Sequence, residues 1–254
     1  MRRALAALLL LAAALPARAE ELVILLSTQD VAITSTYTGA RVTVFGAIER
    51  DFASVSRPSK YDVVISVAGP SAPILVRHKE PLGPLWINRN LMRYADVPGY
   101  YALLTTGPVL TIANEAARER GRMGLTYMLP PLQPDLPDEL NPDKTARDAL
   151  FRLLKKQNLL VEDVRAVQMP RPNLFSAAIP LSANAPTGRY VVTVTVLSEG
   201  VPLKTSSTSF VVRKIGFEAY MAAYARDSGL IYGVVTAGLA ILIGILGNLI
   251  FRRD

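Results

Sequence analysis

The sequence predicts a mainly β protein: one or two immunoglobulin-like β-sandwich domains with short helices, followed by one C-terminal transmembrane helix. Three observations carry that expectation. Between residues 22 and 106, and again between 161 and 212, runs rich in valine, isoleucine and aromatics recur between turn residues at spacings close to those of a β-sandwich. Residues 230–251, LIYGVVTAGLAILIGILGNLIF, carry no charge. At about 1.5 Å per residue a helix over them is roughly 33 Å long, enough to cross a hydrocarbon core of about 30 Å. The chain has no cysteine, so burial and backbone pairing must hold it together without disulfides, and thiol chemistry and thiolate metal sites are excluded.

The two ends suggest an address. Arg2 and Arg3, an apolar run over 4–15 and the small-residue site Ala17-Arg18-Ala19 have the three parts of a secretory signal, residues 1–19. The run makes only about 18 Å of helix, too short to span comfortably. Arg252 and Arg253 follow the apolar helix, which agrees with a cytoplasmic tail over 252–254 and an exported domain before the span. The formal net charge of +7 includes three arginines of the signal. What remains is too mild to suggest nucleic acid as a partner.

Taken in order, 20–108 reads as a β-sandwich domain. Strands are expected over 41–48, where RVTVFGAI alternates, over 61–67, and over 74–79, 85–88 and 100–105. A short helix is expected over 109–122. Residues 129–142 are proline-rich and acidic, and a helix over 145–158, capped by Asn141 or Asp143, places Ala149, Leu150, Leu153 and Leu154 opposite Arg152, Lys155 and Lys156. Together 109–160 forms a helical, Pro-rich connection. A second sandwich-like region, 161–215, contains strands 189–197 and 204–213 joined through Ser198-Glu199-Gly200 as a hairpin. Its lead-in Pro186-Thr187-Gly188-Arg189-Tyr190 echoes Pro98-Gly99-Tyr100 and suggests two related units. Residues 216–229 read as a juxtamembrane amphipathic helix with Phe217, Tyr220, Met221 and Tyr224 on one face.

Chemistry-bearing patterns are few. His78, the sole histidine, stands between Arg77 and Lys79, a poor place for a metal ligand and a reason to set aside a Ser-His-Asp triad. Asp135, Asp138, Glu139 and Asp143 lack calcium-loop spacing. No cofactor is expected. The most unusual stretch is 77–101, which holds the only tryptophan. Its Arg77, Trp86, Asn88, Arg89, Arg93 and Tyr94 form the candidate interaction surface, since tryptophan, tyrosine and arginine are enriched where proteins dock. The competing reading puts Trp86 in the sandwich core. In the apolar helix Gly233, Ala237, Ala240, Gly244 and Asn248 fall on one side, a candidate helix-packing face.

Together, FGAIERD at 45–51, DVVI at 62–65 with Gly69-Pro70, RHKE at 77–80, WINR at 86–89 and ADVP at 95–98 resemble a family of predicted single-span transmembrane proteins of Alphaproteobacteria. That resemblance implies an inner-membrane protein whose domain lies in the periplasm. It brings no catalytic residue, and it suggests a permease as partner. The leading expectation is therefore a non-enzymatic, membrane-anchored accessory protein with two partners, the lipid bilayer and an integral membrane complex such as a transporter. A periplasmic receptor for a small anion, using Arg77, Arg89 or Arg93, and a carboxylate-based envelope hydrolase are the alternatives.

Overall fold

A computed structural model describes residues 21–34, 37–49, 60–129, 142–216 and 225–251, with the side chains of 89–91, 142–143 and 249–251 outside the described set. The signal segment, the proline-rich residues 130–141 and the aromatic positions Phe217, Tyr220, Met221 and Tyr224 lie outside the described residues. The chain divides into two units, one formed by Thr38–Val212 with the residues up to Val31, the other by Ala32–Tyr37 with Arg213–Asp254.

The described chain is mainly β. Alternation becomes structure most directly in β3 (Gly39–Glu49), where Val42, Val44, Gly46 and Ile48 are buried and the residues between them are not. It pairs antiparallel with β1 (Glu21–Leu26) on one side and with β10 (Leu174–Ser182) on the other, and β9 (Gln168–Arg171) completes a four-stranded sheet in the order β1-β3-β10-β9. A six-stranded sheet has the order β2-β12-β11-β4-β7-β8, from β2 (Asp30–Ile33), β12 (Val201–Lys214), β11 (Gly188–Ser198), β4 (Tyr61–Ala68), β7 (Tyr101–Thr105) and β8 (Leu160–Val164). In it β12 with β11, β11 with β4 and β4 with β7 pair antiparallel, and β7 with β8 pairs parallel.

Both large sheets mix strands from before and after residues 109–160. The boundaries at 108 and 161 therefore mark changes of local pattern and not breaks between two separate sandwiches. The physical reason is pairing: β3 has β10 as its second neighbour, and β4 lies between β11 and β7. Buried aromatics cluster on the six-stranded sheet. Tyr190 stacks on Phe210 at 5.0 Å between ring centroids and meets Tyr100 at 5.5 Å, tilted by 56°. Tyr190 donates its hydroxyl to the carbonyl of Pro186, four residues upstream, at 2.7 Å, a tyrosine corner of the kind that fixes crossovers in β-sandwiches. Tyr100 instead donates to Pro180 of β10. The two similar lead-ins thus make different bonds in one body, and the echo is not a structural repeat.

The helices follow their caps. The helix expected over 109–122 is broken into α1 (Val109–Ile112) and α2 (Glu115–Gly121). Asn114, extended between them, accepts the Ala117 N–H on its side chain at 2.8 Å and gives its own N–H to Gly200, so the chain leaves helical geometry there. After α2, Arg122 turns left-handed, with Met123 N–H to Arg118 O and Arg122 N–H to Glu119 O closing the last turn. A 3-10 turn, Leu125–Met128, follows. Helix α3 (Pro142–Lys156) ends in the same way at Asn158, φ 54°, with Leu159 N–H to Leu154 O. Its buried face is Ala146, Arg147, Leu150 and Leu154, and Leu153, expected in the apolar stripe, is exposed.

Tyr101, buried in β7, gives a pH-dependent signature. Its hydroxyl lies 3.3 Å from Arg122 O, to which it donates, and accepts the Gly124 N–H. Burial above all pushes its pKa above the ordinary tyrosine value; the Gly124 N–H pulls the other way, Glu162 adds to the rise and Arg122 opposes it. The unfolded chain ionises at about pH 10 while the folded chain holds the proton. The stabilisation is therefore complete below that pH and is lost as pH rises through the folded value. Denaturant midpoints from pH 8 upward should show the lead of the wild type over Tyr101→Phe shrinking through the alkaline range; a constant gap would contradict it.

Candidate functional site

The feature that no sheet absorbs is a third, two-stranded sheet formed by β5 (Ser71–Leu82) and β6 (Leu85–Pro98). It is inserted between β4 and β7, neighbours in the six-stranded sheet. The sequence reading placed strands 74–79 and 85–88 in the sandwich; they belong to this separate ribbon. At about 3.3 Å per residue β5 alone is roughly 40 Å long.

Its base is held by a collar of prolines and glycines. Gly69 N–H donates to Tyr100 O at 2.8 Å and Gly99 N–H to Pro70 O at 2.9 Å. Gly188 has φ 143°, and a Cβ there would lie 3.0 Å from the Pro70 ring, while a Cβ on Gly99 would lie 3.1 Å from Pro186. The β5–β6, β4–β7 and β11 segments therefore meet with no room for side chains. Above the collar α3 contacts both ribbon strands, and Val76, Tyr94 and Val97 are buried. Beyond Val76 the β5 residues are exposed except for half-buried Glu80.

The tip is a two-residue loop, Gly83-Pro84, between paired Leu82 and Leu85. Gly83 has φ 60°, and Pro84 holds its own φ negative, the combination of a type II′ hairpin loop. The tip is apolar and open to solvent: Leu82 is 62 % exposed, Leu85 66 % and Trp86 70 %. Trp86 is therefore not a core residue.

Register sorts the candidate residues. The ladder pairs Leu75 with Arg93, Arg77 with Asn90, Lys79 with Asn88 and Pro81 with Trp86, and bulges in β6 keep these pairs in step. Since strand residues alternate between faces, these eight positions share one face. Arg77, Asn88, Arg93 and Trp86 thus stand together there, along roughly 20 Å of ribbon. Arg77, Lys79 and Arg93 are exposed cations on that face, and none of its eight positions is acidic. The other two candidates are elsewhere. Tyr94 is 5 % exposed, paired with Ile74 on the opposite face, so it supports the ribbon and cannot be touched by a partner. Arg89, whose side chain is outside the described set, pairs with His78 in the ladder.

Sequence reasoning missed Lys79 and the tip leucines. The signal was present in Leu82-Gly83-Pro84-Leu85, whose Gly-Pro step is a turn between two apolar residues.

Helix α4 (Gly229–Phe251) includes a candidate membrane span over Gly229–Asn248, none of it buried within the chain. Gly233, Ala237, Ala240, Gly244 and Asn248 are all exposed, and a Cβ on Gly233 or Gly244 would meet nothing within 4 Å. Thr236 returns its hydroxyl proton to Tyr232 O at 2.8 Å, satisfying it inside the helix.

Comparison with known families agrees with this architecture: residues 21–253 match the family model described as "Putative transmembrane protein (Alph_Pro_TM)". No curated protein matches the chain.

Proposed function

The chain belongs to this family of transmembrane proteins, and from that premise we propose that it is a non-enzymatic accessory protein of the inner membrane. Its β domain lies in the periplasm, α4 is its single span, and the β5–β6 arm docks on an integral membrane complex of the permease class. One observation carries the reading: Arg77, Lys79, Arg93, Asn88 and Trp86 share one exposed face of an arm that belongs to neither large sheet. A ribbon of this length, stiffened at its base and bare beyond it, costs stability unless something else uses it. Two-stranded ribbons are marginal by themselves in water.

The small-residue side of α4 supports the same reading. With no neighbour among the described residues requiring its glycines, the side formed by Gly233, Ala237, Ala240, Gly244 and Asn248 suits close approach of another helix, with Asn248 able to hydrogen-bond across. A small-anion receptor is less favoured, because its arginines would have to converge on a cavity, and Arg77 and Arg93 lie exposed along an open ribbon face.

The test is affinity purification of the full-length, C-terminally tagged protein from native membranes after brief crosslinking. Wild type should bring down a stoichiometric integral membrane protein, and Arg77→Glu with Arg93→Glu should lose it while the β circular dichroism stays unchanged. Both residues are exposed, and such changes cost within about 0.5 kcal/mol of folding stability. Repeated recovery of the wild-type protein alone would overturn the proposal.

A further inference from the structure

We propose that the tip of the β5–β6 arm, formed by Leu82, Leu85, Trp86 and Ile87, rests in the interfacial layer of a lipid bilayer, with the cations behind it on anionic headgroups. This goes beyond the docking reading above and requires no protein partner. The tip presents three large aliphatic side chains and an indole to solvent, with Ile87 also 39 % exposed. Behind it, past the half-buried Glu80, stand the exposed cations Lys79 and Arg77. An apolar end with tryptophan followed by a basic band is the order of chemistry a membrane surface offers in reverse: acyl chains, the interfacial zone that indoles favour, then anionic headgroups.

Insertion must be shallow. A two-stranded ribbon has two open edges of unpaired backbone groups, which the hydrocarbon interior would not tolerate, so only the turn and its adjacent side chains can leave water.

Trp86 is the only tryptophan in the chain, so indole emission reports on the tip alone. The full-length protein, purified and reconstituted into vesicles of phosphatidylcholine and phosphatidylglycerol, should show blue-shifted emission shielded from acrylamide. That emission should be lost on lipid brominated near the carbonyl end of the acyl chain and much less affected by bromine near the terminal methyl. Leu82→Asp with Leu85→Asp, both at exposed positions, should return Trp86 to acrylamide and free it from bromolipid quenching. Wild-type emission that is open to acrylamide and indifferent to bromolipid would overturn the proposal, as would quenching that survives the double substitution. No other protein is in the vesicles, so failure of the partner reading can neither create nor remove this signal.

Discussion

Replacing Gly46 with alanine should be among the most destabilising single changes in the β domain. Gly46 is paired with Phe175 across β3 and β10, and the phenyl ring lies over the glycine so closely that an added Cβ would stand 2.0 Å from Cζ and 2.5 Å from Cε1. No small adjustment relieves that overlap; the ring has to leave its buried site. The loss then approaches that of truncating a buried phenylalanine, about 3–5 kcal/mol. For a domain of this size the melting temperature should fall by on the order of 10 °C. Phe175→Ala should cost a similar amount, and Gly46→Ala added to Phe175→Ala should cost little more, because the clash and the ring would vanish together. Thermal melts of the full chain in detergent, followed by the β circular dichroism, decide the matter. An unchanged melt for Gly46→Ala would show that the ring does not need the glycine. Gly238→Ala is the control, since a Cβ there meets nothing within 4 Å.

Gly188→Ala should also be costly, through the collar. Its φ of 143° belongs to a region that only glycine occupies comfortably, and a Cβ there would lie 3.0 Å from both Cβ and Cγ of Pro70. Backbone strain of about 1–3 kcal/mol adds to overpacking of about 1–3 kcal/mol. The effect should be uneven. Tyr190, two residues on, holds the corner through Pro186, so the lead-in to β11 and the base of the arm should loosen first. Hydrogen exchange in the variant should accelerate at Gly69 and Gly99, whose amides close the collar, before it accelerates in the centre of β4. Uniform acceleration would mean that the collar has no independent role.

Much of this architecture could be read from local pattern. The alternation of β3 and of β4 appears in the residues themselves, and Glu199-Gly200, both left-handed, make the two-residue turn of β11 with β12 that the sequence suggested. The apolar helix expected over 230–251 is observed from Gly229 to Phe251 because an uninterrupted uncharged run has one stable conformation in lipid. What could not be read is partnership. Nothing near Val44 announces Ala177 as its neighbour, since register across a sheet is set by distant residues matching the same face. The arm was hidden for a different reason. Its central residues Arg77-His78-Lys79-Glu80 are polar without alternation, because neither face is buried there, and bulges in β6 interrupt the period further toward the base. For the same reason Trp86 could be weighed as a core residue, although the turn beside it holds it in solvent. Tyr94 and Arg93 are adjacent, and alternation alone separates a buried side chain from an exposed one.

The interleaving of the two large sheets has a kinetic consequence. β3 cannot gain its second neighbour until β10 exists, and β4 waits for β11, so key contacts that hold the domain join segments remote in sequence. Chains whose contacts are this remote fold slowly, because loop closure must precede the reward. During synthesis β3 and β4 are complete long before β10 and β11, with unpaired edges open to misjoining. The last strand to arrive, β12, is followed closely by the apolar helix. Completion of the fold and capture by the membrane therefore fall at nearly the same moment in the life of each molecule.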